Sequence, residues 1–346
     1  MNRSGIEWCD HTWNPITGCL NGCGYCYADI MTARFSGDVR MNMTRVEEYE
    51  VWKRQDADGV IYMLDSPMLS ETGKPIVYPF GFAPTFHRYR LHMPGKLKMG
   101  NNIFVGAMAD IFGKWIPDEW LDEVFNVCQQ NPIHNYLFLT KFPERYMEYG
   151  VPIGQKNFWY GTTITRAEEM HRFTLLPAGC NTFVNMEPML EDFLPEEHNI
   201  LFRQVDWLIL GAETGKRKGK VIPKIGWVYK IIQEANRVGL PVFMKDSLIP
   251  VVGEKNMRRE FPESLKIQKL SPKVEERLYG ECCECGKRMK KQDMITLLAR
   301  SKRGEVPKQF GFMCRPCFQH FCTKLNLNVP GLEGIADSII TRAKEK

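Results

Sequence analysis

Cys19, Cys23 and Cys26 form a C-x3-C-x2-C cluster inside Gly18-Cys19-Leu20-Asn21-Gly22-Cys23-Gly24-Tyr25-Cys26-Tyr27. Three thiolates on one short loop can hold three irons of a 4Fe-4S cluster and leave the fourth iron open to another ligand, thiolate being the usual ligand for such clusters. Zinc is the alternative. Structural zinc takes four ligands, usually from paired C-x2-C knuckles, and only Cys9 or His11 stands near enough in sequence to complete a set. A second group, Cys282-x2-Cys285 and Cys314-x2-Cys317 with 28 residues between the pairs, has the double-knuckle spacing of a four-cysteine zinc ribbon. A second iron–sulfur cluster is the rival there, and Cys283 and Cys322 stand close enough to be confused with ligands.

The elements that must position these cysteines come from a chain of 346 residues, 44% hydrophobic, enough for one large domain and a small one. The expected division is 1–275 for the large domain and 276–346 for a ribbon-like domain with a short helical tail. No apolar run is long enough to span a bilayer, and Met1 to Glu7 lacks the apolar core of a signal peptide. Twelve cysteines grouped at metal-ligand spacings point to metal sites in a reducing cytoplasm rather than to disulfides. The formal charge of +5 permits a polyanionic partner without requiring one.

Tyr27 to Phe35 reads as a short helix, and 38–100 as an irregular insertion or lid rich in Pro, Met and aromatics. From 103 a rhythm begins. Apolar runs at 103–110, 136–141, 158–164, 182–187, 205–213 and 240–246 alternate with helical stretches, as βα units with a parallel sheet require. Pro117 to Gln130 is an amphipathic helix with Pro at its first turn; Ile225 to Val238 is another, stopped by Gly239. Asp110, Lys141, Thr163, Glu187, Glu213 and Lys245 fall near the C-terminal ends of successive strands, the rim where β/α barrels bind and react. The strands are too few for an eight-stranded barrel, so the expected fold is α/β, an open partial (β/α) barrel.

The cysteine spacing, with Tyr25 just before the last cysteine, resembles the radical S-adenosylmethionine (SAM) superfamily. The stretches Ile6-Glu7-Trp8, Thr12 to Cys19, Ile116 to Glu119, Leu139 to Arg145, Glu187 to Leu190 and Gly211 to Gly215 occur in the order of a phage- and bacteria-associated family of three-cysteine radical-SAM-like proteins, over about residues 5–248. Cys9 and Phe142 depart from that family's pattern. The resemblance implies that Cys19, Cys23 and Cys26 ligate a 4Fe-4S cluster whose open iron chelates SAM, yielding a 5′-deoxyadenosyl radical. It further implies Tyr25 against the adenine and the backbone of Gly106, Ala107 and Met108 at the SAM amino group. Thr162, Thr163 and Glu187 are the implied ribose and methionine contacts, with Lys141, Glu213 and Lys245 left for substrate or a protonation step. An electron donor such as flavodoxin or ferredoxin is an implied partner. In family context the finest reading is a phage thymidine-hypermodification isomerase that converts N-linked to C-linked glycyl-thymidine in DNA, evading restriction from within the host cytoplasm.

Basic stretches favour a nucleic acid partner. His87 to Lys98 interleaves aromatics with cations, as base stacking beside a phosphate track requires. Lys216, Arg217, Lys218 and Lys220 follow the strand end at Glu213, and Lys287 to Lys291 and Arg300 to Arg303 lie between the zinc knuckles, where phosphate backbones could dock. The competing readings are a radical SAM enzyme acting on tRNA, a peptide or a DNA lesion, and a non-catalytic zinc protein that binds nucleic acid.

Overall fold

The computed structural model describes residues 3–55, 59–193, 202–266, 279–291, 294–299, 308–324 and 339–341. Its contacts divide the chain into two units, Met1–Lys269 and Leu270–Lys346. The boundary expected at 275 falls within 267–278, outside the described residues.

In the first unit the strands are β1 (His11–Trp13), β2 (Ile16–Thr17), β3 (Trp52–Gln55), β4 (Val60–Leu64), β5 (Thr85–His87), β6 (Asn102–Val105), β7 (Asn135–Thr140), β8 (Phe158–Thr163), β9 (Asn181–Met186), β10 (Trp207–Leu210) and β11 (Val242–Met244). Seven of them form one parallel sheet in the order β1-β6-β7-β8-β9-β10-β11. Each new strand after β6 is laid beside the last, and β1 and β11 are left as the two edges. This is the open α/β partial barrel. Each of the six apolar runs holds one strand; β1, three residues of mixed polarity, gave no such run.

Period-two alternation sorts the side chains between two faces. On one face Phe104, Leu137, Trp159, Phe183, Trp207 and Phe243 meet, one from each of β6 to β11, and Trp8 packs among them with its ring 4.7 Å from Phe104. This aromatic layer fills the inside of the half-barrel. On the other face Tyr136, Phe138, Phe158 and Tyr160 pack on Leu121, Val124 and Phe125 of the helix Asp118–Gln130. Val184, Leu208 and Val242 pack likewise on Val228, Ile231 and Ala235 of Ile225–Val238, which Gly239 ends in a left-handed conformation.

The segment 38–100, expected to be irregular, is built. It holds a short helix (Val39–Thr44) and three strands that join β2 in a four-stranded sheet of order β2-β5-β4-β3. Tyr62, Leu64, Met68 and Phe80 form its own small core. Strands of two to five residues are too short to show a period among so many prolines and methionines.

The second unit contains β12 (Tyr279–Glu281), β13 (Arg288–Lys290), β14 (Met294–Ala299), β15 (Lys308–Cys314) and β16 (Ile339–Thr341), with a helix at Arg315–Lys324. β12 and β13 pair as a hairpin, and β15-β14-β16 form a three-stranded sheet. The expected helical tail is therefore helical only to Lys324 among the described residues, and Ile339–Thr341 pairs as a strand. No helix among the described residues is long and apolar enough to cross a membrane.

Candidate functional site

Parallel strands bring all their C-terminal ends to one rim, and a cavity of about 350 Å³ opens there, a size suited to a small-molecule ligand. Cys19, Cys23, Cys26 and Tyr25 line it, together with Ala107, Lys141, Thr163, Glu187, Glu213 and Lys245 from the strand ends. Its floor is the aromatic layer, through Trp8 and Phe104.

The cysteine loop leaves β2 through Gly18, whose N–H donates to Met108 O at 2.8 Å; the Cys19 N–H then donates to Phe82 O at 3.0 Å. Cys26 caps the helix Tyr27–Phe35. Burial pushes the Cys19 thiol up to about 12 and raises that of Cys26, where the backbone N–H groups of Asp29 and Ala28 act against it. Thiols of this kind ionise when a cation or metal takes the charge. Their sulfurs do not converge as donors to one ion do. Among the described residues the one group of three or more metal-ligand side chains with mutually close donors is Cys282, Cys285, Cys314 and Cys317, whose sulfurs all lie within 4.8 Å of one another.

Asp110, a strand-end residue assigned no role in the site from sequence, is central to the rim. It is buried; Oδ1 accepts from Thr140 Oγ1 at 2.6 Å, and Oδ2 from the Lys141 N–H at 2.9 Å and Asn21 Nδ2 at 3.2 Å. Burial raises its carboxyl above the ordinary value, against the pull of those donors. Lys141, expected at the substrate, donates from Nζ to the Tyr25 hydroxyl at 2.8 Å, with its ammonium 5.3 Å from the Tyr25 ring centre. Burial acts to lower the Lys141 pKa, and the Tyr25 contact more than offsets it.

Across the cavity Lys245 Nζ lies 2.5 Å from Glu187 Oε1 and 4.0 Å from Glu7 Oε2. Asn185 Nδ2 donates to Glu187 Oε2 at 3.4 Å. Glu213 also faces the cavity, but both of its oxygens accept from Arg217, at 2.6 and 2.7 Å. That guanidinium holds the Glu213 carboxyl below its ordinary value. Arg217 is thus tied down; in the basic loop Lys216 and Lys218 are exposed, as is Lys220, whose Nζ donates to Gly215 O at 3.4 Å.

Three expected contacts lie elsewhere. Thr162 faces the opposite side of β8 from Thr163 and donates to Thr140 O at 3.0 Å. Gly106 and Met108 are not in the cavity wall: the Gly106 N–H donates to Trp13 O, and the Met108 N–H to Asn14 Oδ1 at 3.1 Å. Ala107 reaches the wall, with its carbonyl accepting from the Tyr27 hydroxyl at 2.7 Å. This turn braces the cysteine segment. The start of the aromatic-basic run is engaged internally: His87 is buried against Thr17, Arg88 is paired with Glu123 and Asp65, and Arg90 donates to the Asn14 and Val77 carbonyls. Further along the run His92, Lys96 and Lys98 are exposed.

In the second unit Cys282 and Cys285 sit on a knuckle turned by Gly286, whose N–H donates to Cys282 O at 2.8 Å. Cys314 ends β15 and Cys317 lies in the first turn of the following helix, so a strand–helix junction carries the second pair. Lys291 lies 4.8 Å from the Phe312 ring centre; Arg300 to Arg303 lie outside the described residues.

No curated protein matches the chain in sequence. Among solved structures, a spore photoproduct lyase variant with a dinucleoside spore photoproduct is similar at 8% identity, covering 99% of this chain and 79% of its own, with a TM-score of 0.34. A likeness of that size does not fix a fold, and the sheet order above carries the architecture by itself. The model of a family described as a protein of unknown function, DUF5131, matches residues 3–279, and the chain belongs to that family.

Proposed function

We propose that this chain is a radical SAM enzyme acting on a nucleic acid. The observation that carries this reading is the opening of three half-buried thiols, from one C-x3-C-x2-C loop, onto a cavity at the strand-end rim of a parallel half-barrel. The donor set fits a 4Fe-4S cluster held by Cys19, Cys23 and Cys26, because a four-iron cluster spreads its thiolates wider than a single ion does. Bound there with SAM, the cluster would supply a 5′-deoxyadenosyl radical to take a hydrogen atom from the substrate. The protein's share is orientation and shielding. Trp8 and Phe104 close the floor against water, and Thr163 and Glu187 offer polar contacts to SAM. Lys245, poised between Glu187 and Glu7, is positioned to hold or deliver a proton.

The resemblance names a finer substrate, N-linked glycyl-thymidine in phage DNA, rearranged to the C-linked isomer. Lys216 and Lys218 beside the mouth suit a phosphate backbone. In the second unit we assign zinc. Tetrahedral zinc with bonds of about 2.3 Å separates its sulfurs by about 3.8 Å, and Cys285 Sγ lies 3.8 Å from Cys314 Sγ.

The test is anaerobic reconstitution with iron and sulfide, followed by SAM, a reductant and glycyl-modified DNA. About four irons per chain beyond the zinc, and 5′-deoxyadenosine among the products, are expected. Deuterium on the glycyl α-carbon should reach 5′-deoxyadenosine or return to an isomeric product of unchanged mass. A chain that takes up only zinc refutes the radical SAM reading and leaves a zinc-dependent nucleic-acid-binding protein. Turnover on tRNA, a peptide or a DNA lesion, with glycyl-DNA untouched, refutes the isomerase alone.

A further inference from the structure

Between its cysteines the loop is tied down by two side-chain contacts. Asn21 lies between the first and second cysteines and Tyr25 between the second and third. Asn21 Nδ2 donates to Asp110 Oδ2 at 3.2 Å, and Lys141 Nζ donates to the Tyr25 hydroxyl at 2.8 Å. Both ties run to one corner at the end of β7, because the Lys141 N–H itself donates to Asp110 Oδ2 at 2.9 Å. The Thr140 hydroxyl accepts from the Phe142 N–H at 3.0 Å, so its proton is directed at Asp110 Oδ1, 2.6 Å away. Asp110 thus receives three donors and faces no acceptor, the pattern of an ionised carboxylate. At 5% exposure its charge is little screened by water or salt. Asp110 contacts Asn21, two residues after Cys19, and the Lys141 ammonium contacts Tyr25, two residues after Cys23, so one charge of each sign stands beside the thiols in the same cavity wall.

We propose that Asp110 and Lys141 are positioning residues for the cysteine loop, holding its three thiols at a set spread before metal arrives, and that their opposed charges set the reduction potential of the cluster bound there. The proposal rests on the radical SAM reading and moves Lys141 from the substrate to the loop. Its physical basis is twofold. A preformed loop does not have to be ordered when the metal binds, and a buried negative charge opposes the arrival of an electron while a positive one assists it.

The test uses the whole chain, reconstituted anaerobically, with iron loss to an excess of ferrous chelator and the midpoint potential as readouts. Asn21→Ala and Tyr25→Phe each cut one tie and should speed iron loss several-fold, the double variant more than either. Asp110→Asn should move the midpoint positive and Lys141→Met should move it negative. A merely structural loosening would shift both midpoints the same way, and that result overturns the charge assignment. Iron loss at the wild-type rate in the double variant overturns the positioning role. Should Asp110→Asn fail to fold, by tryptophan emission, Lys141→Met still decides, since an unchanged or positive shift counts against the proposal. Wild-type chain that takes up no iron refutes the radical SAM reading itself and this assignment with it.

Discussion

Gly18 and Gly22 flank Cys19 and both have left-handed backbone, at φ +84° and +63°, yet an added methyl group should act very differently at the two. At Gly22 a Cβ would meet nothing within 4 Å. Gly22→Ala therefore costs the left-handed penalty alone, about 1–2 kcal/mol. At Gly18 the Cβ would lie 2.3 Å from Ala83 O and 2.6 Å from Phe82 O. These are backbone atoms that cannot swing aside, and Phe82 O also receives the Cys19 N–H at 3.0 Å. Gly18→Ala thus adds an overpacking cost of about 1–3 kcal/mol, roughly 2–5 kcal/mol in all, and displaces the first cysteine as the carbonyls give way. Urea denaturation followed by tryptophan emission measures the difference, because all eight tryptophans lie between Trp8 and Trp227 and report the first unit alone. Iron content after anaerobic reconstitution measures the displacement. Equal stability loss in the two variants, with equal iron, would refute the close approach of Gly18 to the Phe82–Ala83 backbone.

Replacing Cys285 and Cys317 by Ser should release one metal ion per chain and unfold the second unit, seen as lost protection of β14 and β15 in hydrogen exchange, with tryptophan emission unchanged. His87 and His134 are held below the ordinary histidine value, chiefly by burial. Below about pH 6.5 the unfolded chain therefore binds protons that the folded one refuses, and stability falls with pH by up to about 1.4 kcal/mol per unit for each ring; denaturation midpoints from pH 7 to 5 should show this, and His87→Gln should flatten the slope. For DNA binding, Lys216→Ala with Lys218→Ala should reduce the salt dependence by about 0.9 per lost phosphate contact. Arg217→Ala should act through loss of its Glu213 pair instead; an identical salt effect from Arg217 would contradict that pairing.

The repeating half of the fold was legible in the sequence because each strand from β6 to β11 carries a buried residue on both faces and so reads as an apolar run. β1 was not, since it is an edge strand three residues long whose position is set by pairing with β6. The same limit applied at the site. Rim residues such as Glu187 and Lys245 could be placed by their strand ends, but which groups pair there depends on rotamers and on neighbours far away in sequence. Glu213 and Arg217 looked like two separate functional groups and are one ion pair. Arg88 looked like a free surface cation within a dense basic run; its partners Glu123 and Asp65 lie 35 and 23 residues away. Asp110 needed three contacts from two other segments before its position at the rim had meaning.

Glu7 accepts the N–H of Asp246 across 239 positions of sequence, and Trp8 fills the middle of a layer that includes Phe243 of the last strand. Contacts of such separation close slowly, because the intervening chain must be ordered first. During synthesis the cysteine loop emerges early, while the wall formed by Glu187 and Lys245 and the later part of the seat for Trp8, from Phe183 to Phe243, follow more than a hundred residues later. Until β11 docks, the thiols have no enclosed chamber around them. On the function proposed above, metal loading in the finished geometry is accordingly an event of the completed unit, and a nascent chain halted before Asp246 would present its cysteines to solvent.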